Sequence, residues 1–442
     1  MAVNTYFIDT STGSNSNDGL DEVGINLATA TWTAATRTLT QVGHGYTFVA
    51  NSKVINITGG TGATTGLYEI ESATANDIVL AASTTLEDVQ GGATLSGIDL
   101  GSGNITSSDG PWLTLTFGNA TKVNGDLLWV RAGTYAEAFD LNYAGSSSNG
   151  IRWEAYTDEI GDYLDTVGGS VIMDGESTRA SAITDSNSGA KYTTFRGFQF
   201  IAHTSHGCFI DVADAITWDN CTWASNGGHG FAGDTDNVFI RCTFTANSDA
   251  GINADDDIVM IACKSEANTN QGFEVDTGIC LFNFLRSNGA DAIEMGVLNL
   301  GPRVIVNNTI DGDVKDTGTG IDLSNSFSTT GVVVNNIVYD CVNGIRFATP
   351  NRYVPSSHNL LNSNTSNYTG NGGTWNNEVT GDPDLTGATI GAASPAKGAG
   401  LDYNYLNESP SLVDIGALQT GAAAGGGGGL LVHPGTSGGA RA

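Results

Sequence analysis

Apolar and polar positions recur along the middle of the chain at a fixed interval. Phe200, Cys221, Cys242, Cys263 and Phe284 are spaced 21 residues apart, and Gly230-Phe231, Gly251-Ile252 and Gly272-Phe273 keep step with them. Each unit reads as a short apolar strand, a polar turn rich in Asn, Asp and Ser, then a glycine and a second short strand. A repeat of this length is a solenoid, in which one unit buries its apolar side only against the next. The units carry no helical periodicity, so the pattern predicts an all-β parallel β-helix of roughly ten to twelve coils. At ~4.8 Å per coil, that is a rod of about 50–60 Å.

Successive versions of one strand appear in Thr193-Thr-Phe-Arg-Gly-Phe-Gln-Phe, Ile216-Thr-Trp-Asp-Asn-Cys-Thr-Trp and Val238-Phe-Ile-Arg-Cys-Thr-Phe. Later versions are Val304-Ile-Val-Asn-Asn-Thr-Ile and Val332-Val-Val-Asn-Asn-Ile-Val. Their Asn pairs fall where the chain must bend, because Asn tolerates the left-handed conformation and its amide can bond up and down a stack. After Asp316 the period lengthens, which predicts loops protruding from those coils.

The flanking segments differ from the repeat. Residues 1–27 open with the strand Tyr6-Phe-Ile-Asp9 and a turn cluster from Thr12 to Gly19. Residues 28–105 hold alternating short strands at Arg37–Thr40, Lys53–Thr58, Leu67–Ile70 and Asp77–Leu80, separated by turn signals at Gly59-Gly60 and Asn76-Asp77. This block reads as an inserted small β-barrel or sandwich; a long elaborated turn is the alternative. The β-helix proper is expected over 106–380. A C-terminal cap over 381–420 would cover the exposed strand edges of the last coil. Residues 421–442 contain the run Gly425 to Gly429 followed by Leu430, Leu431 and Val432, a tether carrying a short apolar anchor. A frayed terminus is the alternative there.

Two pieces together carry a resemblance: Tyr6-Phe-Ile-Asp9 with the Asn- and Asp-rich turn behind it, and Gly110-Pro-Trp-Leu-Thr-Leu followed by Asn124-Gly-Asp-Leu-Leu-Trp-Val-Arg-Ala-Gly-Thr-Tyr-Ala-Glu137. In order and chemistry they resemble the opening of pectate-lyase-like, right-handed parallel β-helix proteins. Asp382-Pro-Asp-Leu, Ser394-Pro-Ala-Lys-Gly-Ala-Gly and Asp414-Ile-Gly-Ala-Leu resemble that family's closing segment. The inserted block resembles modules of phage structural proteins, and the tail resembles termini of virion-associated phage proteins. The resemblance implies a right-handed coil. It also implies one of two functions: a surface-exposed virion protein (spike, fibre or capsid decoration) or a polysaccharide depolymerase.

Charge narrows the partners. Only 14% of residues are charged, and 17 Lys and Arg face 47 Asp and Glu for a net −30. Such a surface repels nucleic acid and anionic membranes, so neither is an expected partner. The opening residues lack a basic and apolar leader, and no apolar run approaches the ~20 residues of a membrane span. The expected setting is therefore a virion assembled in a host cytoplasm. Its partners would be other virion proteins and host surface polysaccharide, and a homotrimer fits the usual build of spikes.

The 6 cysteines show no zinc-ligand spacing. Three share one phase of the repeat, which predicts an interior stack of reduced thiols, since parallel Cβ vectors suit a disulfide poorly. For chemistry, Asp255, Asp256 and Asp257 form a triple carboxylate in a turn and are the catalytic candidates; Glu274, Asp291 and Glu294 follow. Asp234, Asp255 and Asp276 repeat at the 21-residue interval and are the candidate Ca²⁺ ligands. The plainer reading of these acids is solvated turns with no cofactor. Lys264 and Arg286 are the nearest bases. Gly228-His229-Gly230 matches a short polygalacturonase motif, but its partner motifs are missing or out of order, and the repeat already accounts for Gly230.

Overall fold

The computed structural model describes residues 5–10, 31–33, 36–40, 42, 54–57, 66–74, 76–80, 113–141, 150–157, 169–185, 192–211, 215–234, 236–296, 303–312, 318–324, 331–347, 354–370, 373–386, 389–390, 392–400 and 415–416. The chain is an all-β, right-handed parallel β-helix. Among the described residues, ten turns each contribute one strand to each of three parallel sheets, and Thr5–Ile8 and Gly373–Asn376 add strands to the first sheet alone. Contacts divide it into two compact units, Met1–Asp255 and Asp256–Ala442. Leu430, Leu431 and Val432 lie outside the described residues.

In the first unit, Thr5–Ile8 pairs in parallel with Leu127–Arg131 and opens the first sheet. Ile151–Tyr156, Thr193–Arg196, Thr217–Asp219 and Val238–Ile240 follow in that sheet. The second sheet runs from Gly133–Tyr135 through Val171–Asp174, Phe198–Ile201 and Thr222–Ala224 to Thr243–Thr245. The third runs from Phe139–Asp140 through Ile183–Asp185, Cys208–Ile210 and Phe231–Gly233 to Ile252–Ala254.

Alternation within each strand turns every second side chain inward. In the first sheet the inward column is Trp153, Phe195, Trp218 and Phe239, with neighbouring rings stacked at 5.9, 4.7 and 6.4 Å between centroids. In the second it is Met173, Phe200, Trp223 and Phe244. All eight are fully buried.

The opening motif folds as a local device. Leu115–Thr121 is the one α-helix among the described residues, where the repeat pattern carries no helical signal. The Thr114 hydroxyl accepts the N–H of Phe117, and the Glu137 carboxylate accepts the N–H groups of Leu115 and Thr116 at 2.8 and 2.9 Å. These contacts satisfy donors that a helix start leaves open. No helix among the described residues is long and apolar enough to cross a membrane. The strands Thr31–Thr33, Thr38–Thr40, Asp77–Leu80, Gly66–Ala73 and Val54–Ile57 form a five-stranded antiparallel sheet in that order.

In the second unit the first sheet runs Ile258–Ile261, Gly278–Leu281, Arg303–Val306, Gly331–Val334, Val354–Ser357 and Gly373–Asn376. The second sheet is Lys264–Glu266, Phe284–Arg286, Thr309–Asp311, Ile337–Tyr339 and Leu360–Asn362. The third is Phe273–Val275, Ile293–Met295, Thr319–Leu323, Asn343–Phe347 and Ser366–Thr369. Ile390, Ala396 and Ile415 of the C-terminal segment pack with Ile337 and Leu360 of the second sheet.

The bends explain the Asn-rich turns. Between the first and second sheets, one residue per turn takes a positive φ: Asn220 and Arg241 in the first unit; Ala262, Phe282, Asn307, Asn335 and His358 in the second. A non-glycine residue pays about 1–2 kcal/mol for that conformation. The next residue offsets the strain by pointing inward and bonding. In the second unit it is Asn283, Asn308, Asn336 and Asn359, each almost fully buried. The amide oxygens of Asn308, Asn336 and Asn359 each accept from the preceding Asn side chain, at 2.9 Å from Asn283 to Asn308 and at 3.0 Å for the next two steps, while that of Asn283 accepts the Cys263 N–H at 2.8 Å. Each Nδ2 also donates to a buried backbone carbonyl.

Cys221, Cys242 and Cys263 hold this same position after the bend, as the predicted thiol stack requires, and all six cysteines are free and buried. Phe200 and Phe284 depart from that column. Phe200 registers with Trp223, and Phe284 registers with Lys264 on the outward side while Leu285 points in. Turn lengths differ there, so equal spacing in sequence does not mean equal position on the coil. A thiol reagent is expected to label none of the six cysteines in the native protein and all of them after unfolding, read by mass shift.

Candidate functional site

The outward face of the third sheet in Asp256–Ala442 gathers a row of charged groups. Register places Glu274, Glu294, Asp322, Arg346 and Thr369 in one row. Asp291 sits at the bend just before Ile293–Met295 and reaches the same row. Arg346 holds Asp322 in a two-pronged pair, with Nε donating to Oδ1 at 2.9 Å and Nη2 donating to Oδ2. The same Nη2 lies 3.3 Å from Asp291 Oδ2. The Thr319 backbone N–H donates to Asp291 Oδ1, and the Ser324 N–H donates to Asp322 Oδ1 at 2.7 Å. Gln271 Nε2 donates to Glu294 Oε2 at 2.7 Å.

Environment drives the two aspartates apart. Burial, with the charge of Asp322 adding to it, pushes Asp291 up to about 6. Burial also works on Asp322, but hydrogen bonds from Arg346 and Ser324 overcome it and hold that carboxyl below its ordinary value. Asp322 in turn raises Arg346. The result is one carboxylic acid that keeps its proton into the mildly acidic range beside one ionised carboxylate, the pairing from which acid–base roles are assigned.

Because folded Asp291 binds its proton more tightly than the unfolded chain does, the folded state carries the extra proton between about pH 4 and 6. Stability therefore falls as pH rises through that window. Asp291→Asn is expected to flatten this slope, seen by comparing urea midpoints of the two proteins at about pH 4 and about pH 6.5. An unchanged slope would show that Asp291 titrates normally.

The acids predicted from sequence fall elsewhere. Asp234 and Asp255 each follow the last residue of a third-sheet strand in the first unit, and Asp276 does the same in the second. Asp255 and Asp257 are exposed. Thr277 Oγ1 lies 3.2 Å from Asp256 Oδ1 and accepts the N–H of Asp257 at 2.9 Å, so these two acids brace a bend. Arg303 Nε donates to the Asp276 carbonyl at 3.1 Å. Among the described residues no group of three or more His, Cys, Asp or Glu side chains is arranged to hold a metal ion.

Lys264 pairs with Glu266 at 2.6 Å and Arg286 with Asp311 at 3.4 Å, both on the second sheet. The glycines of Gly228-His229-Gly230 are steric requirements. A Cβ at Gly228 would stand 2.9 Å from His206 Nδ1, and one at Gly230 would stand 2.6 Å from the Gly251 carbonyl oxygen.

Asp291 and Glu294 are visible in the sequence, whereas Asp322 and Arg346 are not. Their register partners lie across turns of unequal length, so no periodic signal marks them. A second charged row occupies the first sheet of the first unit. Arg196 pairs with Glu154 at 3.1 Å and approaches Asp219 at 3.9 Å, and Arg241 Nη2 pairs with Asp219 at 2.5 Å.

Comparison with solved structures finds similarity to the pectate lyase Pel9A, with a TM-score of 0.44 and 11% identity over 70% of this chain and 91% of that one. An alginate lyase from Paenibacillus sp. str. FPU-7 gives 0.38 and 14% over 59% and 92%. A rhamnogalacturonan lyase gives 0.35 and 12% over 77% and 82%. No family model matches the chain. No curated protein matches it. Likeness at this level brings no activity with it, because one fold hosts many chemistries.

Proposed function

We propose that the chain is a structural, surface-exposed protein of a tailed-phage virion that presents a rigid polar face to host surface glycan. The observation that carries this reading is the mutual engagement of the outward charges. Asp322 is clasped by Arg346, Asp291 is tied to Thr319 and Arg346, and Asp219 is clasped by Arg241. Groups locked in this way stiffen a surface and present fixed donors and acceptors. Assignment to a phage particle rests on the sequence resemblance of residues 28–105 and of the tail. Attachment through Leu430, Leu431 and Val432 to other virion proteins, and a homotrimer, belong to the same reading. Deleting 421–442 is expected to leave particles without the protein; full incorporation would remove the anchor.

The second reading is a polysaccharide depolymerase, and one observation favours it: the raised Asp291 carboxyl beside an ionised Asp322. The two readings separate in one assay. Incubation with host capsule or acidic polysaccharide, following unsaturated-uronate absorbance and reducing ends, is expected to show no turnover. Turnover abolished by Asp291→Asn, or by Asp255→Ala or Asp256→Ala, would install the enzyme instead.

A further inference from the structure

The outward side of the third sheet in Met1–Asp255 carries a feature that the charged rows do not explain. Phe209, in the middle of Cys208–Ile210, points outward and is 39% exposed. One face of its ring lies against His206, at 5.6 Å between centroids and 23° between planes. His206 in turn lies against His229 one turn later, at 5.1 Å and 7°. Three flat rings thus form one continuous stack at the surface. Gly228 keeps the space beside His206 open, since any Cβ there would press on the ring.

The hydrogen bonds orient the two imidazoles. His206 Nδ1 accepts the backbone N–H of His229 at 3.1 Å, and His229 Nδ1 accepts the backbone N–H of Ala250 at 3.2 Å. With both Nδ1 atoms accepting, each ring is neutral and carries its proton on Nε2. Burial holds both imidazoles below their ordinary pKa, consistent with that form. His229 Nε2 lies 3.6 Å from the half-exposed carboxylate of Asp249. Beside Phe209 in the outward row of the sheet stand Thr184, Ala232 and Asn253.

We infer that Phe209, His206, His229 and Asp249 form a subsite for one neutral pyranose ring of a glycan. A pyranose offers an apolar C–H face to an aromatic plane and hydroxyls around its rim. Small-molecule sites pair the same elements, an apolar platform with a few placed polar groups. The Phe209 ring supplies the platform, the Nε2–H groups donate to hydroxyl oxygens, and the Asp249 carboxylate accepts a hydrogen bond from a hydroxyl. Neutral sugar is selected because the imidazoles carry no positive charge, while Asp249 and a net charge of −30 oppose a uronate. This inference rests on the reading of the chain as a glycan-facing surface protein.

Calorimetric titration tests it. The full chain is titrated with cellohexaose, maltohexaose and mannohexaose, and separately with oligogalacturonate. At least one neutral oligomer is expected to bind the unmodified protein, with affinity weakened about ten-fold by Phe209→Ala and kept or tightened by Phe209→Trp. Phe209 faces outward, so both variants should retain the native resistance to thiol labelling, which confirms that they are folded. Equal affinity of the neutral oligomer for the unmodified protein and Phe209→Ala overturns the subsite and leaves the glycan-facing reading standing. Binding of oligogalacturonate alone overturns the assignment to neutral sugar. Binding of neither class removes the subsite together with the broader reading.

Discussion

Trp218→Ala is expected to cost about 3–5 kcal/mol of folding stability, the range for deleting a fully buried large aromatic side chain. Trp218 has no exposed surface and sits at the crossing of two interior columns. Its ring stacks on Phe195 at 4.7 Å and on Phe239 at 6.4 Å, and meets Phe200, Trp223 and Phe231 edge-on. Its Nε1 also donates to the buried Asn237 side chain at 3.3 Å, so alanine both opens a cavity and removes that buried bond. A close-packed solenoid interior cannot collapse to fill that space, because strand pairing fixes the distance between neighbouring turns. Urea unfolding of the first unit, followed by near-ultraviolet circular dichroism, should show a large drop in midpoint. A change within about 0.5 kcal/mol, the range of a surface substitution, would contradict the described core.

Asn308→Ala should have an effect of similar size through a different cause. Asn308 Oδ1 accepts both the N–H and the Nδ2 of Asn283 at 2.9 Å, and its own Nδ2 donates to the Cys280 carbonyl at 3.0 Å and to Asn336 Oδ1. Alanine removes these buried hydrogen bonds at once, each worth about 0.5–1.5 kcal/mol net and more where a buried donor is left open, so the expected loss is about 3–5 kcal/mol. Asn308 Nδ2 also donates to the Val306 carbonyl at 3.2 Å, closing the bend at Asn307, which holds a positive φ, and that bond goes too. Asn270→Ala, at an exposed turn, is the comparison and should stay within about 0.5 kcal/mol. Equal effects at the two positions would mean that the ladder contributes nothing to the second unit.

The parallel β-helix was legible because turns of equal length put Cys221, Cys242 and Cys263 at one position on the coil, and that position is an interior corner. The Asn pairs were legible for a chemical reason: Asn307 and Asn335 take the strained conformation, and Asn308 and Asn336 stack behind them. The strands at Thr38–Thr40, Val54–Ile57, Gly66–Ala73 and Asp77–Leu80 followed from alternation. Legibility stopped where turn length varied. Phe200 and Phe284 kept the numerical interval but not the register, and Asp322 and Arg346 reached Glu294 and Asp291 only through unequal turns. The helix Leu115–Thr121 was hidden for another reason: it is short, and its start is satisfied by Glu137, a residue far along the chain. The ring stack at Phe209 was likewise masked, since His206 and His229 lie 23 residues apart, off the 21-residue interval.

The central claim is that residues one turn apart are strand neighbours. Pyrene labelling of a Thr222→Cys, Thr243→Cys double variant tests it most directly, because the native thiols are buried and these two outward positions register with each other across the second sheet. A wound ribbon predicts strong excimer emission that disappears in urea, and none from a Thr222→Cys, Asn253→Cys pair on different sheets. Monomer emission alone from the first pair, or equal excimer from both, would contradict it.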